Sequence, residues 1–564
     1  MWAWFVDVLR SHPEMAVFLT LAFGYWIGKI KLGTIPLGAV VGVLIAGVVI
    51  GQAGVKPSAD LKTVFFLLFL FSIGYRTGPQ FFNGLKSSGL PQIALTVIFC
   101  VTALAIAYVA ARIAAYDAGT AGGLLAGGTT ESATIGTATD AINRLPIEAG
   151  SKQSLIANAA VAFAVTYFLG VLSTVTFLAR FGPHILGVDL AAECAKLEQQ
   201  MGLAADDAIV TGYRPFTVRA LRVEGDGYAG KTAREIEAAF AARGQRLFVA
   251  RIRQGDRIAV ATPDMLIPKG AVVALAARRQ VLLGEQTAIG PEVDDKALLD
   301  FPIDTVDAVI TDKALGGVTV RELTGHLGPE SLRGVGVRKI TRGGAELPLT
   351  AETRLARGDV ITLAGMPEAV AHVAATIGYA DRPTNATEVA LVAAAVFLGG
   401  LIGIPAFRAH GLEIGLSQSV GVLIGGLVLG WLRSVDRRIP KLPEAAVWLF
   451  DSMGLTTFLA VTALTAGPDF VKGLQQSGLS LVVAGLILVI IPQLVTLLAG
   501  KYIFHMHPGI LLGVCCGAGT SAPSLAAVQD VAKSKVPTLG YGVTYAVGNV
   551  LLALWGSVIV ALVH

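Results

Sequence analysis

Long apolar runs fill both ends of the chain, and a charged block lies between them. Residues 14–180 and 386–564 carry few charges, whereas residues 181–385 carry most of them. A membrane-spanning helix needs about 20 apolar residues. The pattern therefore predicts a polytopic α-helical membrane protein with spans at 14–31, 35–54, 61–78, 90–115 and 154–180, and at 386–404, 414–434, 446–466, 478–500 and 538–563.

One further segment in each half is too polar and too rich in glycine for a helix that faces lipid. These segments are Gly119–Ile142 and Pro508–Val531. Irregular backbone at membrane depth is tolerated only inside protein or beside water. We therefore predict one re-entrant hairpin or broken helix in each half.

Three short sequences occur once in each apolar half. A duplicated membrane unit around a soluble insert is the architecture of a secondary transporter. Because each half has an odd number of spans, the second copy must run opposite to the first, and we predict inverted repeats over residues 1–181 and 385–564. The paired sequences are Gly78–Leu90 with Gly467–Leu479, Val41–Gly51 with Val420–Gly430, and Gly128–Thr134 with Gly517–Pro523.

Loop charges give the expected orientation. If the amino terminus is outside, the outer loops of the second half carry only Arg408 and Lys472. The opposite loops then hold an excess of basic residues, as cytoplasmic loops do. This places the soluble block in the cytoplasm. The basic residues are Arg433, Arg437, Arg438, Lys441, Lys501, Lys533 and Lys535.

Composition excludes several function classes. Charged residues make up 15% of the chain, against about 25% in soluble domains, and the net charge of +4 gives no reason to expect a nucleic-acid partner. The cysteines (Cys100, Cys194, Cys515 and Cys516) form neither a disulfide framework nor a CxxC pair. We expect no metal and no cofactor. No nucleophile–base constellation occurs, so the sequence does not indicate an enzyme.

The soluble block is itself repeated. Residues 205–290 and 300–380 each have the pattern of a small α/β module, and Gly230–Ile236 matches Gly317–Leu323. No GxGxxG sequence follows a strand, so a dinucleotide site is not supported. Ligand sensing and a purely stiffening or dimerising role both remain open.

Taken together, these features resemble the aspartate:alanine exchanger family, and the soluble modules resemble TrkA-C (RCK-C) domains. The resemblance rests on the repeated Gly-Pro-x-Phe, on Gly127–Ile142 and on Gly517–Ala532. It implies exchange of L-aspartate for L-alanine or export of dicarboxylates such as succinate, and the length and the GGTTES segment favour the first. It further implies a homodimer in the bacterial inner membrane and functional coupling to a cytosolic aspartate decarboxylase.

The two polar segments are the candidate substrate site. Broken helices in such carriers point their amino-terminal dipoles at anionic groups. Small residues packed between helices are the alternative explanation. The residues expected to bind substrate there are Thr129, Thr130, Glu131, Ser132, Gly519, Thr520, Ser521 and Pro523.

Arg76 is the remaining substrate-binding candidate. It ends the third span, and the matching position in the second half is Thr465, so the charge occurs on one side only. A guanidinium binds a carboxylate with two parallel hydrogen bonds. The alternative is an interfacial arginine on the cytoplasmic side. Asp451 begins a span and is interpreted as a cap or interfacial group.

The acidic residues near the site have open roles. Glu131 could receive a substrate ammonium group, pair with Arg76 or Arg144, or lie in a solvated loop. Asp140 and Asp530 follow the two polar segments at nearly matched places. They are candidates for gating, or polar helix ends that face water.

Alternating access by an electrogenic exchanger is the function that these observations favour. Three alternatives stay open: a dicarboxylate exporter, an ion channel or cation carrier gated by the soluble modules, and a membrane-bound sensor. A TVGYG-type filter is absent from the sequence, which argues against a potassium channel.

Overall fold

The computed structural model divides into two compact units, Met1–Cys194 with Pro383–His564, and Ala195–Arg382. The residues outside its description are 1, 33–34, 85–88, 202–215, 226, 244, 246, 279–280, 284–287, 301, 343–344, 382–386, 410–411, 416, 437–438 and 441. Only the backbone is described at 2, 32, 35–36, 83, 216, 278, 313, 329–330, 406–409, 412–415 and 468–477.

Helices dominate the amino-terminal half of the first unit. They are α1 (Trp2–Ser11), α2 (Pro13–Ile27), α3 (Gly38–Gly51), α4 (Ala59–Gly84), α5 (Leu90–Ile113), α6 (Ala118–Gly128), α7 (Ser132–Arg144), α8 (Ala149–Thr176), α9 (Gly182–Leu186) and α10 (Leu190–Gln200). A π-helical turn, Phe177–Phe181, links α8 to α9, and a short ladder, β1 (Lys31–Leu32) and β2 (Ile35–Pro36), precedes α3.

The second unit contains two antiparallel sheets with helices. The first sheet has the strand order β3-β8-β5-β6, with β4 paired to β7 beside it, and the second has the order β11-β10-β12-β9-β13. The first module comprises β3 (Phe216–Arg222), β4 (Lys231–Thr232), α11 (Ala233–Ala241), β5 (Leu247–Gln254), β6 (Arg257–Val260), β7 (Leu266–Ile267) and β8 (Val272–Arg278). Helix α12 (Lys296–Leu299) follows in the chain and packs on the first sheet through Leu298. The second module comprises β9 (Asp304–Ile310), α13 (Val320–Ser331), β10 (Val335–Arg342), β11 (Ala345–Glu346), β12 (Val360–Gly365), α14 (Pro367–Ile377) and β13 (Gly378–Asp381).

The matched sequences in the two modules both form helix starts. Thr232 caps α11 in a capping box with Glu235. Thr319 and Glu322 make the same reciprocal contacts before α13, with Thr319 N donating to the Glu322 carboxylate at 2.7 Å. The repeat therefore encodes one capping device used twice. The assignment to TrkA-C domains stays a prediction.

The two modules share a partly buried ion pair. The Arg333 guanidinium donates to Glu237 at 2.8 Å and to the Val249 and Ala261 carbonyls at 2.9 and 2.6 Å. Because Glu237 belongs to the first module and Arg333 to the second, these bonds tie the modules together.

The carboxy-terminal half of the first unit repeats the helical order of the amino-terminal half. Its elements are α15 (Val389–Gly403), β14 (Ala406–Ala409), β15 (Leu412–Gly415), α16 (Gln418–Val435), α17 (Glu444–Tyr502), α18 (Pro508–Ala518), α19 (Ala522–Ala532) and α20 (Thr538–Val563). The predicted spans 446–466 and 478–500 lie within the single helix α17, whose counterpart in the first half is α4 followed by α5.

Seven helical stretches in the described part of the chain, two of them within α17, are long and apolar enough to cross a membrane, which confirms a polytopic helical membrane protein. The predicted spans 14–31, 35–54 and 386–404 form shorter apolar helices of 15, 14 and 15 residues. The seven are Ala59–Phe82, Leu90–Ile113, Ala149–Leu186, Gln418–Val435, Glu444–Gly467, Gly478–Tyr502 and Thr538–Val563.

Equivalent helices of the two halves pack against each other in opposite directions. Phe66 of α4 contacts Phe458 of α17, with ring centroids 4.6 Å apart. Farther along α4, Arg76 lies beside Asp451. Residue numbers thus rise along one helix as they fall along the other. The inverted-repeat arrangement remains a prediction, and this antiparallel contact is the geometry that it requires.

Candidate substrate site

Each half contains a pair of short helices separated by three residues. In the first half α6 ends at Gly128 and α7 begins at Ser132; in the second, α18 ends at Ala518 and α19 begins at Ala522. The three linking residues adopt the same conformations in both halves, in the order right-handed, left-handed and extended. The φ angles are −86°, 56° and −103° for Thr129, Thr130 and Glu131, and −87°, 51° and −103° for Gly519, Thr520 and Ser521.

A threonine occupies the left-handed position in both breaks. A β-branched residue with positive φ is a steric outlier. Such strain costs of order 1–3 kcal/mol and concentrates where function requires the geometry. Its occurrence at Thr130 and again at Thr520 points to a shared purpose for the two breaks.

The two breaks meet. The Thr130 hydroxyl donates to the Gly519 carbonyl at 3.1 Å. The Thr520 hydroxyl oxygen is buried and accepts no hydrogen bond within the part of the chain that the structure describes. The two polar segments, far apart in sequence, therefore form one site.

Side chains in the breaks cap the helices that follow. Glu131 accepts a hydrogen bond from Ala133 N at 3.0 Å. Ser521 accepts one from Ser524 N at 3.4 Å and shares another with the Ser524 hydroxyl at 2.7 Å. Pro523 lies in the first turn of α19, where its missing N–H leaves no unpaired donor. The helix amino termini thus converge on the breaks with some of their donors already satisfied.

A second repeated sequence lines the site, and sequence reasoning missed it. Val165–Gly170 reads VTYFLG and Val543–Gly548 reads VTYAVG. A Cβ added at Gly127 would lie 2.0 Å from the Thr166 hydroxyl oxygen, and one added at Gly517 would lie 1.9 Å from that of Thr544. The shared VTY sequence was the available signal that α8 and α20 are the equivalent helices that hold the two breaks.

The tyrosines of this repeat lie at the site. Tyr167 is next to Ser132. Tyr545 is within electrostatic reach of both Glu131 and Arg76, and Asn549 lies beside it. These residues join the predicted ones as candidates for substrate contact.

Arg76 pairs with Asp451. The Nη2–Oδ2 distance is 3.4 Å, and the two side chains are 40% and 29% exposed. Asp451 therefore contacts a candidate binding residue, in addition to lying near the start of its helix. Arg76, like Glu131, is within electrostatic reach of Tyr545.

Glu131 is buried, with 4% of its surface exposed, and so it does not lie in a solvated loop. It makes no ion pair with Arg76 or Arg144; Arg144 Nε instead donates to the Asp140 carbonyl at 3.3 Å. Two of its three alternative roles are thereby removed.

Asp140 and Asp530 have different environments. The Ser419 hydroxyl donates to Asp140, and the charges of Lys62 and Arg144 reach its carboxylate. Asp530 is exposed. The structure does not bring them together as a symmetric gate, and a gating role for either stays a prediction. Within the described residues, no group of three or more His, Cys, Asp or Glu side chains could hold a metal ion.

Comparison with known proteins identifies the class of molecule. Residues 16–181 and 391–561 match the Asp-Al_Ex family, described as a predicted permease membrane region. The chain belongs to this aspartate–alanine exchanger family of permeases. The two matched ranges are the two halves of the membrane unit, and the site described above lies within them. Membership makes the protein a membrane transporter rather than an enzyme.

Full-length relatives in other bacteria carry the same general description. An uncharacterized transporter of Shewanella oneidensis is 37% identical, with 99% of both chains covered. Another from Bradyrhizobium diazoefficiens is 36% identical over 92% of this chain and all of its own, and one from Zymomonas mobilis is 32% identical over 98% of each chain. No solved structure matches the chain.

Proposed function

We propose that this permease exchanges L-aspartate for L-alanine across the bacterial inner membrane by alternating access. The observation that carries the proposal is the meeting of the two breaks through Thr130 and Gly519. Substrate sites of transporters built from inverted repeats form where discontinuous helices of the two halves converge. The antiparallel contact of α4 with α17 supports that architecture.

The chemistry of the site suits a small amino acid with an acidic side chain. Helix amino termini and an arginine at the edge favour carboxylates. Hydroxyls from both halves, including those of Thr130, Thr520 and Tyr545, supply neutral hydrogen-bonding groups. A dicarboxylate has no ammonium group, so it would interact only with the helix amino termini and the arginine.

Downstream chemistry would keep the exchange running. A cytosolic decarboxylase that converts aspartate to alanine would consume a proton and maintain both gradients. In this proposal the soluble unit is cytoplasmic and the carrier works as a homodimer.

Counterflow in reconstituted vesicles tests the function. Vesicles loaded with unlabelled L-alanine should accumulate labelled L-aspartate, and external succinate should compete poorly. Uptake driven by internal succinate but not by alanine would replace the proposal with dicarboxylate export. Ion currents without counter-substrate would favour a channel.

A further inference from the structure

The buried carboxylate of Glu131 has no cationic partner among the described residues. The groups that act on it are the Ala133 N–H, the Thr520 hydroxyl and the Asp451 carboxylate. Buried charges in proteins are ordinarily paired, because removing a lone charge from water costs several kcal/mol. The neighbouring acid, Asp451, is itself paired with Arg76, so a charge on Glu131 is left for a bound cation to offset.

Helix capping does not account for this charge. Ser521 occupies the equivalent position in the second break, with the same φ of −103°, and it caps α19 with a neutral hydroxyl. The fold therefore obtains its cap at this position without a carboxylate. The acid at 131 supplies something that the matched repeat does not need.

Two neutral acceptors near the breaks are also unused. The Thr520 hydroxyl lies next to Glu131, and its oxygen accepts no hydrogen bond from any described residue. Gln493 is 1% exposed, and among the described residues its Oε1 has no hydrogen-bond partner. The Gln493 amide lies against the second break, since a Cβ added at Gly519 would be 2.9 Å from Nε2. A buried polar atom left without a partner is rare in proteins and calls for a ligand or water.

We propose that Glu131 binds the ammonium group of the transported amino acid, with the Thr520 hydroxyl and the Gln493 amide oxygen as additional acceptors. A primary ammonium has three N–H donors and no acceptor, which matches one carboxylate and two neutral oxygens. This inference rests on the proposed function and makes Glu131 the residue that distinguishes amino acids from acids lacking an ammonium group. The two substrates of the exchange, aspartate and alanine, share that group.

Paired ligands that differ in the ammonium group test the assignment. Inhibition of labelled-substrate uptake into vesicles would be measured for L-aspartate against succinate, and for L-alanine against propionate. In Glu131→Gln, inhibition by L-aspartate and by L-alanine should become weaker by about thirtyfold or more. This is the loss of affinity expected when one member of a buried charge pair is removed. Inhibition by succinate should become weaker by less than threefold, or should become stronger.

The variants are chosen so that folding is separated from recognition. Glu131→Gln keeps an oxygen for the Ala133 N–H, and Glu131→Asp keeps the charge and should recover part of amino-acid recognition. Glu148→Gln is the matched control, because Glu148 is an exposed acid that makes no cap bond to α8. Thermal unfolding of each purified variant in detergent checks the fold.

The outcomes separate this inference from the proposed function. If wild-type protein exchanges aspartate and Glu131→Gln weakens all four ligands equally, or none, the ammonium assignment is wrong and the function stands. If wild type prefers a different amino acid and Glu131→Gln loses it selectively, aspartate–alanine exchange is wrong and the assignment stands. Wild-type recognition of succinate and propionate with no preference for amino acids would overturn both.

Discussion

Left-handed threonines show how single residues shape the site. A glycine would adopt positive φ without strain, yet Thr130 and Thr520 occupy these positions in both breaks. The hydroxyl explains the choice in the first break, because it bonds across to the other half at Gly519. In the second break the Thr520 hydroxyl is left for a ligand. The sequence indicated that these threonines matter, but only the structure showed that their backbone is strained.

Arg76 gives a prediction at the same scale. Its pair with Asp451 is partly exposed, and exposed pairs contribute about 0–1 kcal/mol to stability. Hydrogen bonds to charged groups contribute about 1.5–3 kcal/mol. Arg76→Ala should therefore lower the affinity for anionic substrates by about tenfold or more, with little change in unfolding temperature. Arg76→Lys should retain part of the affinity. Competition uptake and thermal unfolding of each variant provide the measurements.

The control for Arg76 is Arg112→Ala, which removes an exposed arginine from the last turn of α5. It should transport normally. Full exchange by Arg76→Ala would show that this arginine is interfacial. A large drop in its unfolding temperature would instead assign it a structural role.

At the scale of elements, repeated sequences encode repeated helix ends. The breaks in the membrane unit and the capping boxes in the soluble unit both appear twice, each with its own local hydrogen bonds. Hydrogen bonds from Thr319 hold the pKa of Glu322 below its usual value, and Thr232 does the same for Glu235. A carboxylate with a lowered pKa stabilises the fold above its unfolded pKa, and this contribution is lost as the pH falls through the folded value.

Glu322→Gln is therefore expected to destabilise the soluble unit in a pH-dependent way. The variant should melt below wild type at pH 7, and the difference should narrow as the pH falls through the lowered pKa of Glu322, where the wild-type carboxylate becomes protonated. Melting of the intact protein followed by circular dichroism measures this. Glu368→Gln, an exposed first-turn acid in α14 without a side-chain cap, should show a smaller effect. A pH-independent difference would rule out the capping carboxylate as its source.

At the scale of the whole molecule, the arrangement of the two halves determines what the carrier could do. Helices α4 and α17 pack antiparallel, and the breaks of both halves share one polar region. Two related halves around a common site provide the pair of conformations that alternating access requires. The net charge of the cargo then sets the coupling to membrane potential.

The proposed exchange is electrogenic. Aspartate enters with one more negative charge than the departing alanine, and moving that charge is worth about 2.3 kcal/mol per 100 mV. An imposed inside-positive potential should therefore speed aspartate uptake into alanine-loaded vesicles, as measured with potassium gradients and valinomycin. Aspartate uptake that does not depend on voltage would contradict this charge balance. Exchange of alanine for alanine moves no net charge, so it should be insensitive to voltage and serves as the control.

Sequence alone determined the class of the protein and the location of its unusual backbone. Runs of apolar residues indicate membrane spans, because a segment that faces lipid must be an apolar helix. Polar, glycine-rich segments indicate breaks, because irregular backbone at membrane depth is tolerated only away from lipid. The repeats indicated a duplicated unit and pointed to Thr130, Glu131 and Thr520. These are local properties, which adjacent residues encode directly.

Only the tertiary structure decided which of these residues meet. It joined Thr130 to Gly519, placed Tyr167 and Tyr545 beside the breaks, and paired Arg76 with Asp451 rather than with Glu131. Such contacts depend on how helices distant in sequence pack, and hydrophobic periodicity does not specify the partner of an arginine or a glutamate. That Glu131 has no cationic partner among the described residues is for the same reason visible only in the folded molecule, because pairing depends on neighbours that the fold brings together from distant parts of the chain.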